Sequence, residues 1–140
     1  TNIANELANV GIVCEIENTL ATFLREAMRK NEVGFFRASW IGDYPDGENY
    51  LALFYSKNDA PPNYTFFKNA QYDKIYEQAI KETNSAKATE LYHQLDKIII
   101  EEAPVVPLFY DELTRFTHKN VSGLIKNSMN LVILKNVKLN

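Results

Sequence analysis

Two stretches of helical periodicity stand back to back and constrain this chain more than anything else in it. Gln71 to about Thr83 places Tyr72, Ile75, Tyr76, Ala79 and Ile80 on one face. Ser85 to Ala103 does the same with Ala88, Leu91, Tyr92, Leu95, Ile98 and Ile99. Each has one apolar stripe and one charged face, and such a helix holds only when its stripe is covered. Both are expected to cover a sheet. The rest of the chain offers strands for one. Residues 12–17, IVCEIE, alternate apolar and polar side chains as a half-buried strand does. Asn18 or Thr19 can cap a helix with Leu20, Phe23, Leu24, Ala27 and Met28 on one face. Val33 to Ile41, VGFFRASWI, is an aromatic-rich run of strand length, so residues 12–41 are predicted to form a βαβ unit with parallel strands and a right-handed crossover.

Other segments frame this core. NYLALFYSK reads as a short helix with Tyr50, Leu51 and Phe54 on one side, and NDAPPNYTFFKN as a mobile loop that Pro61 and Pro62 keep out of regular structure. APVVPLFYD is a strand whose prolines, Pro104 and Pro107, make it irregular or place it near an edge. The tail after Leu113 holds short strands, LVILKNVKL among them, with no helix to cover them, and so belongs against a further body of protein. The fold class expected is α/β.

Composition removes several classes. With 140 residues, 46% hydrophobic and 24% charged, the chain suits one ordinary globular domain rather than a disordered segment. A net charge of -3 with 15 scattered basic residues gives no footprint for nucleic acid. No apolar run is long enough to span a membrane. The opening TNIANELANVGI has no initiating methionine and sets Ile3, Leu7 and Val10 at helical spacing, which reads as a fragment beginning inside an element. A targeting segment would then lie outside it. Cys14 cannot form an internal disulfide and reads as a small buried apolar residue.

The stretch with chemical content is SWIGDYPDGENY, Ser39 to Tyr50. In open parallel sheets ligands sit beyond the carboxyl ends of strands, and Asp43 falls just past such an end. Two readings of Asp43 stand side by side: a turn residue near Pro45 and Gly47, or a ligand contact. Asp46 reads as the cap of a helix starting near Glu48. An acid/base role for Asp43 and Asp46 is disfavoured, because no histidine, serine or cysteine sits beside them as a nucleophile. His93 and His118 have no local partners at metal-ligand spacing, and Glu101-Glu102 reads as a solvated helix end. No catalytic residue, metal site or cofactor is expected.

The ordered segments ELANVGIVCEIE, ASWIGDYPDGENYLALF, NAQYDKIYEQA and KATELYHQLDKIIIEEAPVVPLFY resemble the C-terminal part of the peptide-binding solute receptors of ABC transporters. These are the oligopeptide and dipeptide class of bacterial extracellular solute-binding proteins, family 5. The Trp-x-x-Asp-Tyr-Pro-Asp and EEAPVVPLFY stretches are the most specific parts of the likeness. The resemblance implies a two-lobed periplasmic-binding-protein fold of type II, with a mixed sheet flanked by helices. Residues 1–113 would make most of the second lobe, and residues 114–140 a tail returning to a first lobe absent here. It implies a receptor rather than an enzyme, binding peptides between its lobes and delivering them to a membrane permease. Asp43 would pair with the ligand's α-ammonium, Trp40 would line the cleft, and Tyr44 is grouped with them as ligand-binding. The expected location is the periplasm or cell envelope, with or without a lipid anchor. Receptors for nickel complexes, heme and sugars share the family, and a ligand-sensing module of the same fold is a further alternative. Gly47 stands where many members have proline, and Tyr50 where many have phenylalanine.

Overall fold

The computed structural model describes residues 2–140. They divide into two compact units, one running to Gly34 and the other from Phe35 to Asn140.

In the first unit, α1 (Asn2–Asn9) confirms the helical spacing of Ile3 and Leu7. It stops at Gly11, which adopts a φ of +84°. The Gly11 N–H donates to the Ala8 carbonyl at 3.0 Å and the Ile12 N–H to the Leu7 carbonyl at 2.9 Å, the paired bonds of a left-handed helix stop. The second helix, α2 (Ala21–Arg29), ends the same way on Asn31, with φ 58°. Leu20 precedes it with extended backbone and no side-chain cap, so neither Asn18 nor Thr19 caps it.

The second unit holds the core. A short helix, α3 (Glu48–Leu51), runs into a 3-10 turn, Ala52–Phe54, and is followed by α4 (Ala70–Ala79) and α5 (Ser85–Glu102). Their buried residues are Leu51, Phe54, Tyr72, Tyr76, Ala79, Leu95 and Ile99. The stripes of α4 and α5 therefore cover each other and α3, where the sequence suggested a sheet beneath each. Tyr72 and Leu95 are the side chains most completely enclosed. Phe54, Phe67 and Tyr72 meet edge to face with ring centroids 5.7–6.4 Å apart, which orients the rings as well as burying them. Asparagines start both helices: Asn69 accepts from the Gln71 and Tyr72 N–H groups at 2.9 and 3.0 Å, and Asn84 from Lys87 N–H at 3.1 Å. Ala103, in the left-handed region at φ 48°, ends α5 just before Pro104.

The segment around Pro61 and Pro62 is pinned rather than loose. Asn63, only 3% exposed, donates to the Tyr55 and Phe67 carbonyls at 3.3 and 3.1 Å and accepts from Phe67 N–H at 3.2 Å. Asp73 of α4 accepts from the Ser56 N–H at 3.0 Å, fixing the exit of the 3-10 turn.

The expected strands are the main departure. Among the described residues the only ladder joins β1 (Val121–Ser122) to β2 (Lys138–Leu139), antiparallel, with Val121 opposite Leu139. Residues 12–17, 33–41 and 105–110 make no ladder hydrogen bonds, so the βαβ unit does not form within this chain. The pattern in these segments is that of a strand, but a strand needs a neighbour to bond, and none is present. Their side chains stay correspondingly open: Val13, Phe35, Val106, Leu108, Phe109 and Tyr110 are all exposed. Cys14 is half-buried rather than enclosed.

Two substitutions in the full-length protein test this packing. The Tyr72 hydroxyl donates to the Leu51 carbonyl at 2.7 Å inside the core, so Tyr72→Phe strands a buried acceptor and is expected to lower the unfolding free energy by about 1–3 kcal/mol in urea titrations. Gly123 has φ +78° and a Cβ there would lie 2.0 Å from the Asn136 carbonyl oxygen. Gly123→Ala should open the β1–β2 pair, read as faster hydrogen exchange at the Asn140 amide, which now donates to the Asn120 carbonyl at 2.8 Å; unchanged protection there would refute the assigned strain.

Candidate functional site

The Ser39–Tyr50 loop is built around the side chains of Asp46, Glu48 and Asn49. Gly47 rather than Asp46 takes the N-cap position of α3, and Asp46, one residue earlier, accepts the Glu48 N–H at 2.8 Å and the Tyr92 hydroxyl from α5 at 3.0 Å. Glu48 accepts hydroxyls from Tyr44 in the loop and Tyr76 on α4. Asn49 is 6% exposed, and its Oδ1 accepts from Trp40 Nε1 at 2.8 Å and from the Asp43 N–H at 3.4 Å. Gly42 is buried between them. A Cβ there would come within 3.3 Å of the Tyr44 carbonyl oxygen and the Tyr50 hydroxyl, so the residue's small size lets the loop close on itself.

Trp40, Asp43 and Tyr44, the residues expected to bind ligand, thus share one loop. Trp40 is half-buried, Asp43 and Tyr44 are exposed. Of the loop's acidic side chains, Asp46 and Glu48 are committed to tyrosines, whereas no hydrogen bond or ion pair engages the Asp43 carboxylate among the described residues. Tyr44 carries its phenol above the ordinary value, chiefly through the bond to Glu48, with the Asn49 carboxamide pulling the other way. Two concavities lie elsewhere. The larger, about 780 Å³, follows the charged faces of α4 and α5 past Lys74, Glu77, Lys81 and Glu90, and the smaller lies beside β1 and β2. Neither includes Trp40, Asp43 or Tyr44. No group of three or more His, Cys, Asp or Glu side chains is placed to hold a metal ion among the described residues. The one signal for Tyr76 and Tyr92 was their hydroxyls: a tyrosine on an apolar stripe must find its O–H a partner.

These phenols make the anchorage sensitive to alkali. Burial and then the Asp46 bond push Tyr92 up to about 12 from 10.0, and burial raises Tyr72 and Tyr76 further. The folded state favours the neutral phenol, so its stabilisation is complete below pH 10.0 and is lost as pH rises towards about 12. Unfolding midpoints measured across that range should fall, and Tyr92→Phe should make the fall shallower; an unaltered slope would remove Tyr92 from the network.

No family model matches the sequence. Individual proteins do. The oligopeptide-binding protein OppA of Bacillus subtilis is 29% identical over 128 residues, which is 91% of this chain and 23% of that protein. The probable deoxycholate-binding periplasmic protein YgiS of Escherichia coli is 34% identical over 98 residues, 70% of this chain and 18% of its own length. Among solved structures, the unliganded open form of the periplasmic murein tripeptide binding protein MppA superposes with a TM-score of 0.69 and 28% identity, covering 73% of this chain and 20% of MppA. The chain thus spans roughly a fifth of the length of the proteins it matches. The MppA likeness also gives the fold class: α/β, a portion of a periplasmic-binding-protein architecture, even though its sheet is not assembled within these residues. With the Trp-x-x-Asp-Tyr-Pro-Asp loop in place on its helical support, the chain is homologous over most of its length to a stretch of bacterial oligopeptide- and dipeptide-binding proteins.

Proposed function

We propose that the chain is part of a receptor that captures peptides between two lobes and delivers them to an ABC permease, with Asp43 holding the peptide's α-ammonium. The observation that carries this reading is the Asp43 carboxylate, exposed and without a partner among the described residues, on the same loop as Trp40, where the other acidic groups are taken. A carboxylate in a cleft that closes and sheds water makes a short, charge-assisted bond to an ammonium. Trp40 and Tyr44 offer aromatic surface alongside. Recognition of the terminus and backbone leaves peptide side chains loosely specified. An anionic solute such as a bile acid would meet Asp43 with like charge.

Residues 1–113 would supply most of the second lobe and 114–140 the return to the first, where Leu131, Val132, Ile133 and Leu134, all exposed here, would find cover. Lobe closure about a hinge then produces the form a permease recognises. Its place is the periplasm or cell envelope, with or without a lipid anchor, as suits a kinship that includes periplasmic proteins. Its work is binding, not catalysis.

The test uses the full-length receptor and native mass spectrometry of what co-purifies. Peptides are expected, and Asp43→Ala should weaken their binding by at least about 30-fold, as loss of one partner of a buried charge pair does. N-acetylated peptides, lacking the ammonium, gain nothing from Asp43, so Asp43→Ala should not weaken their binding. A non-peptide solute, or peptides held equally by both proteins, would overturn the assignment.

A further inference from the structure

We infer that Asn49 is the positioning residue of this ligand site, the side chain that sets Trp40 and Asp43 in register for the ligand. The inference rests on the reading of those two residues as ligand contacts. A carboxamide oxygen has two lone pairs, and Asn49 Oδ1 spends them on the Trp40 indole N–H at 2.8 Å and the Asp43 backbone N–H at 3.4 Å. One atom thus fixes the ring and the carboxylate-bearing residue together, so neither moves without the other. The atom itself is held. Asn49 lies in α3 with 6% exposure, and its neighbours are tied to α4, Glu48 through the Tyr76 hydroxyl and Leu51 through the Tyr72 hydroxyl at 2.7 Å. Asp43 sits on a loop, but its position is copied from a helix. Gly42, buried just before it, leaves no slack. The residue type is specific: alanine removes the acceptor, while aspartate keeps an oxygen in the same place.

The test compares Asn49→Ala and Asn49→Asp in the full-length receptor with trialanine as probe and fluorotryptophan at position 40, its fluorine resonance assigned by Trp40→Phe. Asn49→Ala is expected to weaken trialanine binding at least about tenfold and to shift the Trp40 resonance, and Asn49→Asp to keep the parent resonance. In a Trp40→Phe, Asp43→Ala background, Asn49→Ala should cost less than about twofold more, because the groups it positions are gone. An equal loss in both backgrounds, or parent-like affinity and resonance in Asn49→Ala, overturns the inference. If Asn49→Ala does not fold, a shifted resonance in Asn49→Asp overturns it and an unshifted one supports it. A parent that binds no peptide sinks the peptide reading separately, and the fluorine resonance still decides whether Asn49 holds the loop.

Discussion

Tyrosine hydroxyls hold the four-residue helix α3 against its neighbours, and the placement of the candidate site depends on them. Tyr72 and Tyr76 reach from α4 to the Leu51 carbonyl and the Glu48 carboxylate, and Tyr92 reaches from α5 to Asp46. A helix this short cannot hold its own shape in water, because the cost of nucleation exceeds what its few hydrogen bonds return. Its order is borrowed from the α4–α5 pair, through rings that bury apolar surface and O–H groups that bond at a fixed point. Loss of these bonds would leave the loop's sequence intact and its geometry undefined.

The arrangement also sorts the acidic side chains by role. Asp46 and Glu48 bond to phenols and serve the fold, and Asp43 is exposed, with no hydrogen bond or ion pair to its carboxylate among the described residues. That division answers why carboxylates cluster just after an apolar run. Part of the cluster anchors the loop, and the remainder is the part that the proposed function assigns to a ligand.

How much of this was legible beforehand differs by physical cause. The two long helices were readable from their apolar period, a local signal: α5 nearly to the residue, while α4 ends at Ala79 rather than near Thr83. The start of α3 at Glu48 and the support from Asp46 were readable for the same reason. The strands were not: Val33–Ile41 and the segment after Pro104 have strand composition, but pairing is a property of two segments, and neither bonds a neighbouring strand among the described residues. The pinned loop at Asn63 escaped notice because its order comes from a single buried carboxamide rather than from any periodicity. Asn49 was invisible for the same reason. Trp40, Asp43 and Tyr44 came forward mainly through likeness to a family, since spacing alone accounts for Asp43 by turn chemistry.

The most direct measurement is a crystal structure of the full-length receptor with its natural ligand bound. The account requires an Asp43 carboxylate oxygen about 2.7–2.9 Å from a ligand ammonium, with Trp40 against the ligand and Asn49 Oδ1 still accepting from both. A closed receptor in which Asp43 faces water, or in which another acidic side chain meets the ammonium, would contradict it.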